Sequence, residues 1–92
     1  MDFEWDVSKA ISNEKKHGIP FEYATRVFLD PRLLKWKDTQ VNYGEERMIV
    51  MGTIEKRLFV VAITKPGNTT RIISARKGNA REKKHYQLHT QP

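Results

Sequence analysis

The chain of 92 residues has no cysteine. This absence excludes disulfide bonds and thiolate metal sites, and nothing in the composition requires an oxidising compartment. No apolar run approaches the roughly 18 residues of a membrane span, and residues 1–6 are acidic and aromatic, unlike the start of a signal peptide. We therefore expect a soluble, unprocessed cytoplasmic protein. The length predicts one domain over residues 1–89, with a disordered tail at residues 90–92.

Motifs for several kinds of enzyme chemistry are also missing. The sequence has only five glycines, and it contains no glycine-rich phosphate loop and no nucleophile elbow. Nucleotide hydrolysis and covalent acyl transfer therefore have no support. Of the three histidines, only His85 and His89 have the i, i+4 spacing that lets one helix offer two metal ligands. We predict neither a metal site nor a cofactor, which leaves acid–base chemistry without a metal.

Positive charge is abundant and unevenly distributed. The net charge is +6, but residues 1–31 hold four Lys or Arg against six Asp or Glu, whereas residues 71–92 hold six against one. A basic C-terminal third is typical of surfaces that bind nucleic acid, an acidic protein or an anionic membrane. A merely solvated basic face is the plain alternative.

Helical periodicity appears in three segments. The first covers residues 7–17, between Asp6 as N-cap and Gly18 as stop. The second lies between Pro20 and Pro31, since proline is tolerated in a first turn and stops a helix elsewhere. The third begins at Asn79, in capping-box spacing with Glu82, and runs to about Leu88.

Strand-like patterns occupy much of the remaining chain, at residues 3–5, 33–37, 47–52, 58–64 and 70–77. A strong turn signal at residues 65–68 and a looser one at 52–56 connect the last three strands as antiparallel neighbours. The predicted order is β-α-α-β-β-β-β-α. This is an α+β fold with a mainly antiparallel sheet, two N-terminal helices packed on it and a C-terminal helix.

The segment from residue 71 to residue 82 places arginines in an apolar strand and then opens a basic helix. Strict alternation puts Arg71 and Lys77 on one face of the strand, and Ser74 and Arg76 on the other. Half-buried arginines require anionic partners, because an unpaired charge away from water is costly. The partner is either a glutamate of the same chain or a phosphate of RNA.

RNA is a substrate that suits this set of side chains, because its own 2′-OH can attack the adjacent phosphate. An enzyme then needs only to position the strand, move two protons and stabilise the developing charge. The candidates for catalysis are Arg76, Arg47, His17, Glu46 and Tyr86. The candidates for binding RNA phosphates are Arg71, Lys77, Lys16, Arg81 and Lys84.

Each candidate also has a structural interpretation. His17 lies at a helix C-terminus, where an imidazolium is favourable, and Glu46 can pair with an arginine inside the fold. Tyr86 can anchor the last helix through its ring. Trp36 can pack at the edge of the core or, if exposed, stack on a base. At the level of function, a noncatalytic nucleic-acid-binding or corepressor module fits the same basic surface.

Taken together, three ordered segments of the chain resemble the BrnT family of bacterial type II toxins. The opening segment has the pattern FEWD..K...N..KHG..FEYA over residues 3–24, and the central segment is GEER....G over residues 44–52. The closing segment, RIISARK...RE...Y, covers residues 71–86. The chain departs from the family pattern after Lys77, where Gly78 and Asn79 replace the usual alanine and threonine.

The resemblance implies a ribonuclease with a RelE-like fold that cleaves RNA and arrests growth. It also implies neutralisation by a cognate BrnA-type antitoxin with a ribbon-helix-helix DNA-binding domain. Toxin and antitoxin are then expected to form a 2:2 heterotetramer, which contacts operator DNA through the antitoxin alone and has no membrane partner.

Overall fold

The computed structural model describes residues 1–39 and 46–90. Within these residues the chain forms an α+β fold with one five-stranded sheet and three α-helices. The strands are β1 (Asp2–Trp5), β2 (Leu34–Lys37), β3 (Arg47–Ile54), β4 (Arg57–Thr64) and β5 (Thr69–Lys77). Gly44 and Glu45 of the central motif, and residues 91–92 of the expected tail, lie outside the described residues.

The sheet has the order β1-β5-β4-β3-β2. Three of its four pairings are antiparallel, and β1 lies parallel to β5, so the sheet is mixed but mostly antiparallel. The short connections of β3, β4 and β5 explain their antiparallel pairing, whereas β1 reaches the opposite edge from β2 through the helices between them.

Helix α1 (Val7–His17) has the bounds expected from its end signals. Asp6 lies in the extended region and its carboxylate accepts a hydrogen bond from the Lys9 N–H at 3.1 Å. Gly18 adopts the left-handed conformation, with φ of 72°, and its N–H donates to Glu14 O. A polar N-cap and a glycine stop therefore set both ends, as local backbone chemistry predicts.

The second predicted helix is divided, which corrects the sequence prediction. Helix α2 (Phe21–Ala24) has only four residues and continues as a 3₁₀ helix, η1 (Thr25–Leu29). The hydroxyl of Thr25 donates to Glu22 O at 2.7 Å. This side chain competes for a carbonyl that a continuing α-helix would need, which favours a tighter turn.

The last helix, α3 (Ala80–Thr90), is two residues longer than expected, so Thr90 belongs to the helix and not to a disordered tail. Asn79 and Glu82 form the predicted capping box. The Glu82 N–H donates to Asn79 Oδ1 at 2.8 Å, and the Asn79 N–H donates to Glu82 Oε1 at 2.9 Å.

The main core lies between the sheet and the two N-terminal helices. It contains Phe21, Val27, Val61, Ile63 and Ile72, each at most 1% exposed. We call this side of the sheet the closed face. The opposite side, the open face, carries a smaller cluster of Met51, Leu58 and Val60, against which Tyr86 of α3 packs. None of the residues of α3 is itself buried, so α3 covers only part of the open face.

A β-bulge in β5 corrects the predicted distribution of its basic side chains. Ser74 pairs with Ala62 but Ile72 pairs with Ile63, so Ile73 is an extra residue. Thr64, which pairs with Arg71, and Phe59, which pairs with Lys77, point to opposite faces of β4. Arg71 therefore shares the open face with Ser74 and Arg76, and Lys77 points to the other face.

The turn between β3 and β4 is tighter than the loose turn expected over residues 52–56. The strands run on to Ile54 and Arg57, and only Glu55 and Lys56 connect them. Both residues have positive φ, at 53° and 69°. A two-residue hairpin with both residues in the left-handed region matches the twist of the strands, although side chains other than Gly and Asn rarely adopt it.

Candidate functional site

Two adjoining concavities form a groove on the open face. The first lies between α1, the start of β3 and the middle of β5, and is lined by Ser8, Lys9, Ser12, Asn13, Lys16, His17, Arg47, Ile73 and Ser74. The second extends toward α3 and is lined by Trp36, Lys37, Asp38, Thr39, Ile49, Val60, Ala62, Ser74, Arg76 and Glu82. Ser74 lines both concavities, so we treat them as one groove.

Helix α1 reaches this groove because Asn13 holds it against β5. The partner strand β1 pairs with β5 only as far as Ile72. Beyond that point, the Asn13 amide donates to Ala75 O at 2.9 Å and accepts from Ala75 N–H at 3.0 Å. The same amide donates to Ile19 O at 3.3 Å. Asn13 is 7% exposed and takes the place of a neighbouring strand at this edge.

The first concavity brings together three of the predicted site residues. Lys16 and His17 come from the last turn of α1, and Arg47 is the first residue of β3. The Nε atom of Arg47 is buried, although the residue lines this concavity. Two cationic side chains, an imidazole and the hydroxyl of Ser74 thus line one concavity, a set able to hold a phosphate and move a proton.

Arg76 lines the second concavity in a bidentate pair with Glu82. Its two terminal nitrogens each donate to a different oxygen of Glu82 at 2.8 Å. These hydrogen bonds lower the pKa of Glu82 below its usual range and raise the pKa of Arg76. The pair orients the guanidinium and leaves its Nε–H edge for another acceptor. Arg76 therefore has an internal partner, as one of the two sequence interpretations required.

Tyr86 lies on the other side of α3 and does not line the groove. Its hydroxyl donates to Asp30 Oδ2, which also accepts hydrogen bonds from the N–H and hydroxyl of Thr53 at 2.8 and 3.1 Å. Burial and the hydrogen bond to Asp30 raise the pKa of Tyr86. Burial also raises the pKa of Asp30, but the hydrogen bonds that it accepts outweigh burial and the net shift is downward.

Through the hydrogen bond to Asp30, Tyr86 connects α3 to β3 and to the end of η1. We expect Tyr86→Phe to lower the free energy of unfolding by about 1.5 kcal/mol, because it removes one hydrogen bond to a charged group and keeps the ring. Urea denaturation followed by circular dichroism measures this. Tyr23→Phe is the matched control, since the Tyr23 hydroxyl makes only a long, exposed contact of 3.5 Å with Glu55. If Tyr23→Phe lowered the free energy of unfolding as much as Tyr86→Phe, the structural role of the Tyr86 hydroxyl would be contradicted.

The remaining predicted residues are scattered around the groove or lie away from it. Glu46 precedes β3 and pairs with Lys37 at 3.1 Å in an exposed contact at the groove rim. Arg71 pairs with Glu4 at 2.7 Å on the open face. Arg81 lines a hollow beside Trp36. Lys77 lines a separate hollow beyond α3, and Lys84 is exposed on α3 without lining a concavity described here.

Sequence reasoning missed several residues that fix α1 and α3 in place. Asn13 appeared only as one letter of the opening motif, and its contact with Ala75 spans 62 positions of the chain. Asp30 and Thr53 were not singled out as partners of Tyr86. One signal was available for Asn13, because a polar residue on the inner side of an amphipathic helix requires hydrogen-bond partners.

No helix within the described residues is long and apolar enough to cross a membrane.

Comparisons with known proteins indicate the family of the chain. No curated protein gives a significant match over the chain. A family model described as the ribonuclease toxin BrnT of type II toxin–antitoxin systems matches residues 5–82. This range includes the last residue of β1, all of α1, strands β2 to β5 and the start of α3. The chain therefore belongs to the BrnT family of ribonuclease toxins.

Proposed function

We propose that the chain is a metal-independent endoribonuclease toxin and that the groove on the open face is its cleavage site. Membership of the family supports ribonuclease activity and an antitoxin partner. The single observation that supports the site is that Lys16, His17, Arg47 and Ser74 line the same concavity. These groups come from distant parts of the chain and meet in one concavity, where an RNA phosphate finds both positive charge and a titratable imidazole.

In this proposal, cleavage uses the RNA's own 2′-OH as nucleophile. The 2′ oxygen forms a bond to phosphorus, the bond to the 5′ oxygen breaks, and the products are a 2′,3′-cyclic phosphate and a 5′-OH. A base takes the proton of the 2′-OH and an acid supplies a proton to the leaving 5′ oxygen. His17 is the best-placed group for one transfer, and Glu46 at the rim is the candidate for the other.

The cationic side chains stabilise the phosphorane that forms between these two steps. Arg47 and Lys16 flank the first concavity, and Arg76 extends the same surface through its Nε–H edge. Fixed positive groups aimed at developing negative charge are often the largest contribution to catalysis. They also repel a divalent cation, which favours a mechanism without a metal. Tyr86 has no part in the mechanism, so Tyr86→Phe should keep its cleavage activity.

The partner we propose is a BrnA-type antitoxin with a ribbon-helix-helix domain, in a 2:2 heterotetramer that reaches operator DNA through the antitoxin. Free toxin should then arrest growth, and the antitoxin should cover the groove or displace RNA from it. The groove and the exposed basic residues of α3, which include Arg81 and Lys84, supply the surface on which RNA and antitoxin compete.

The test is incubation of the purified chain with end-labelled RNA in excess EDTA, with and without the antitoxin. We expect cleavage that the antitoxin suppresses, with 2′,3′-cyclic phosphate ends. A requirement for added Mg²⁺ would contradict the metal-independent mechanism. Salt-sensitive RNA binding by the folded protein without cleavage, together with growth that continues on induction, would favour the noncatalytic alternative.

A further inference from the structure

Trp36 is a large aromatic side chain that the core does not use. It lies in β2, at the edge of the sheet, on the open face, and is 41% exposed. The other tryptophan, Trp5, packs against the main core with its ring edge-on to Phe21 at 6.0 Å. The ring of Trp36 instead meets His85 of α3 edge-on, with centroids 6.3 Å apart and an angle of 69° between the rings.

A further hollow opens beside Trp36 and adjoins the groove. Its lining combines two aromatic rings, a buried methionine and one residue of each charge, namely Trp36, Met51, Arg81, Glu82 and His85. Trp36 and Glu82 also line the second concavity of the groove, next to Arg76. The hollow and the groove therefore share a wall, and one nucleotide can place its phosphate in the groove and its base in the hollow.

We propose that this hollow is a nucleobase subsite, in which a base adjoining the bound phosphate stacks on Trp36. This inference rests on the proposed function, because it takes RNA as the ligand of the groove. A flat aromatic ring with an apolar floor fits a base, and Arg81 supplies hydrogen-bond donors for the base edge. The adjoining groove is cationic and the hollow is aromatic and apolar. A nucleotide matches both, because its phosphate is anionic and its base is flat and aromatic, whereas an apolar peptide side chain matches only the hollow.

Fluorescence of Trp36 reports the contact directly. The Trp5→Phe variant leaves Trp36 as the sole tryptophan, and RNA with a 2′-deoxy sugar at the cleavage position binds without being cut. We expect this RNA to quench the fluorescence. A set of the same oligonucleotides, each with one abasic position, should show a single position whose removal abolishes the quenching and weakens binding about tenfold, as expected for one stacked base.

Steady-state cleavage supplies a second readout that needs no Trp5 variant. Trp36→Ala should raise KM about tenfold with little change in kcat, because stacking is present in both bound substrate and transition state. Trp36→Phe should keep most of the affinity. Leu29→Ala is the matched control, since Leu29 is an exposed apolar side chain, 80% exposed, that lines none of these concavities.

The outcomes separate this inference from the proposed function. Quenching by the RNA with one sensitive position, but no cleavage of all-ribose RNA, would support the base subsite and contradict the nuclease. Cleavage that proceeds with unchanged Trp36 fluorescence, or equal losses at every abasic position, would overturn the subsite. Quenching by the antitoxin but not by RNA would likewise overturn it, since Trp36 would then belong to the protein interface.

Discussion

Replacement of Arg76 with alanine is expected to lower the rate of RNA cleavage by about 10²- to 10³-fold, the usual effect of removing one donor that stabilises transition-state charge. Arg76 is half-exposed in the groove, and its guanidinium is held in a fixed orientation by Glu82. A preoriented cation needs no reorganisation when the phosphorane forms. The measurement is single-turnover cleavage of end-labelled RNA at saturating protein, which separates chemistry from binding.

Arg76→Ala also removes a contact that helps to fix α3. A control must therefore separate this structural effect from the loss of a phosphate contact. Glu82→Gln keeps one oxygen that can accept from the Asn79 N–H and from one terminal nitrogen of Arg76, but it removes the negative charge and the second acceptor. If Arg76 acts on phosphate, Glu82→Gln frees its charge, so cleavage should be kept and RNA affinity should rise. If the Arg76–Glu82 pair only positions α3, both variants should lose cleavage alike, and that result would contradict a phosphate-binding role for Arg76. Circular dichroism verifies that each variant is folded.

Local sequence signals predicted those parts of the fold that local chemistry determines. The bounds of α1 follow from Asp6 and Gly18, and the capping box of α3 follows from Asn79 and Glu82. The turn at Glu55 could not be predicted, since neither of its two residues is glycine or asparagine and the tight hairpin is imposed by the pairing of β3 with β4. The strand pattern alone therefore suggested a looser connection.

The bulge at Ile73 had the largest effect on the predicted site. Period-2 alternation through β5 put Arg71 on the face opposite Arg76, whereas one extra residue puts both on the open face. The sequence of β5 contains no glycine that would mark the position of such a bulge. Residue types alone still identified Lys16, His17 and Arg47 as candidates, and the fold brings these three together. The basic side chains and the suitability of RNA for acid–base cleavage suggested RNA as their ligand, and the resemblance to the family implied the same.

The second large effect is expected at Asn13, whose main role is structural. Asn13→Ala should lower the free energy of unfolding by about 3 kcal/mol, because it leaves the buried N–H and C=O of Ala75 without the amide that satisfies them. For a domain of this size, such a loss corresponds to a fall in Tm of about 10–20 °C. Urea and thermal denaturation of wild type and variant measure both quantities.

Two further variants test whether the amide itself is responsible. Glu14→Ala changes the next residue of the same helix, which is exposed, and should alter stability by less than about 0.5 kcal/mol. Asn13→Asp keeps an oxygen for the Ala75 N–H but replaces the donor by a buried carboxylate facing a carbonyl, so it should destabilise at least as much as alanine. An Asn13→Ala protein as stable as wild type would show that β5 needs no partner beyond β1.

If the loss of stability is confirmed, cleavage assayed well below the Tm of the variant tests whether Asn13 also positions the groove residues of α1. Because Asn13 fixes the helix that carries Lys16 and His17, a folded Asn13→Ala protein should still cleave more slowly than Glu14→Ala.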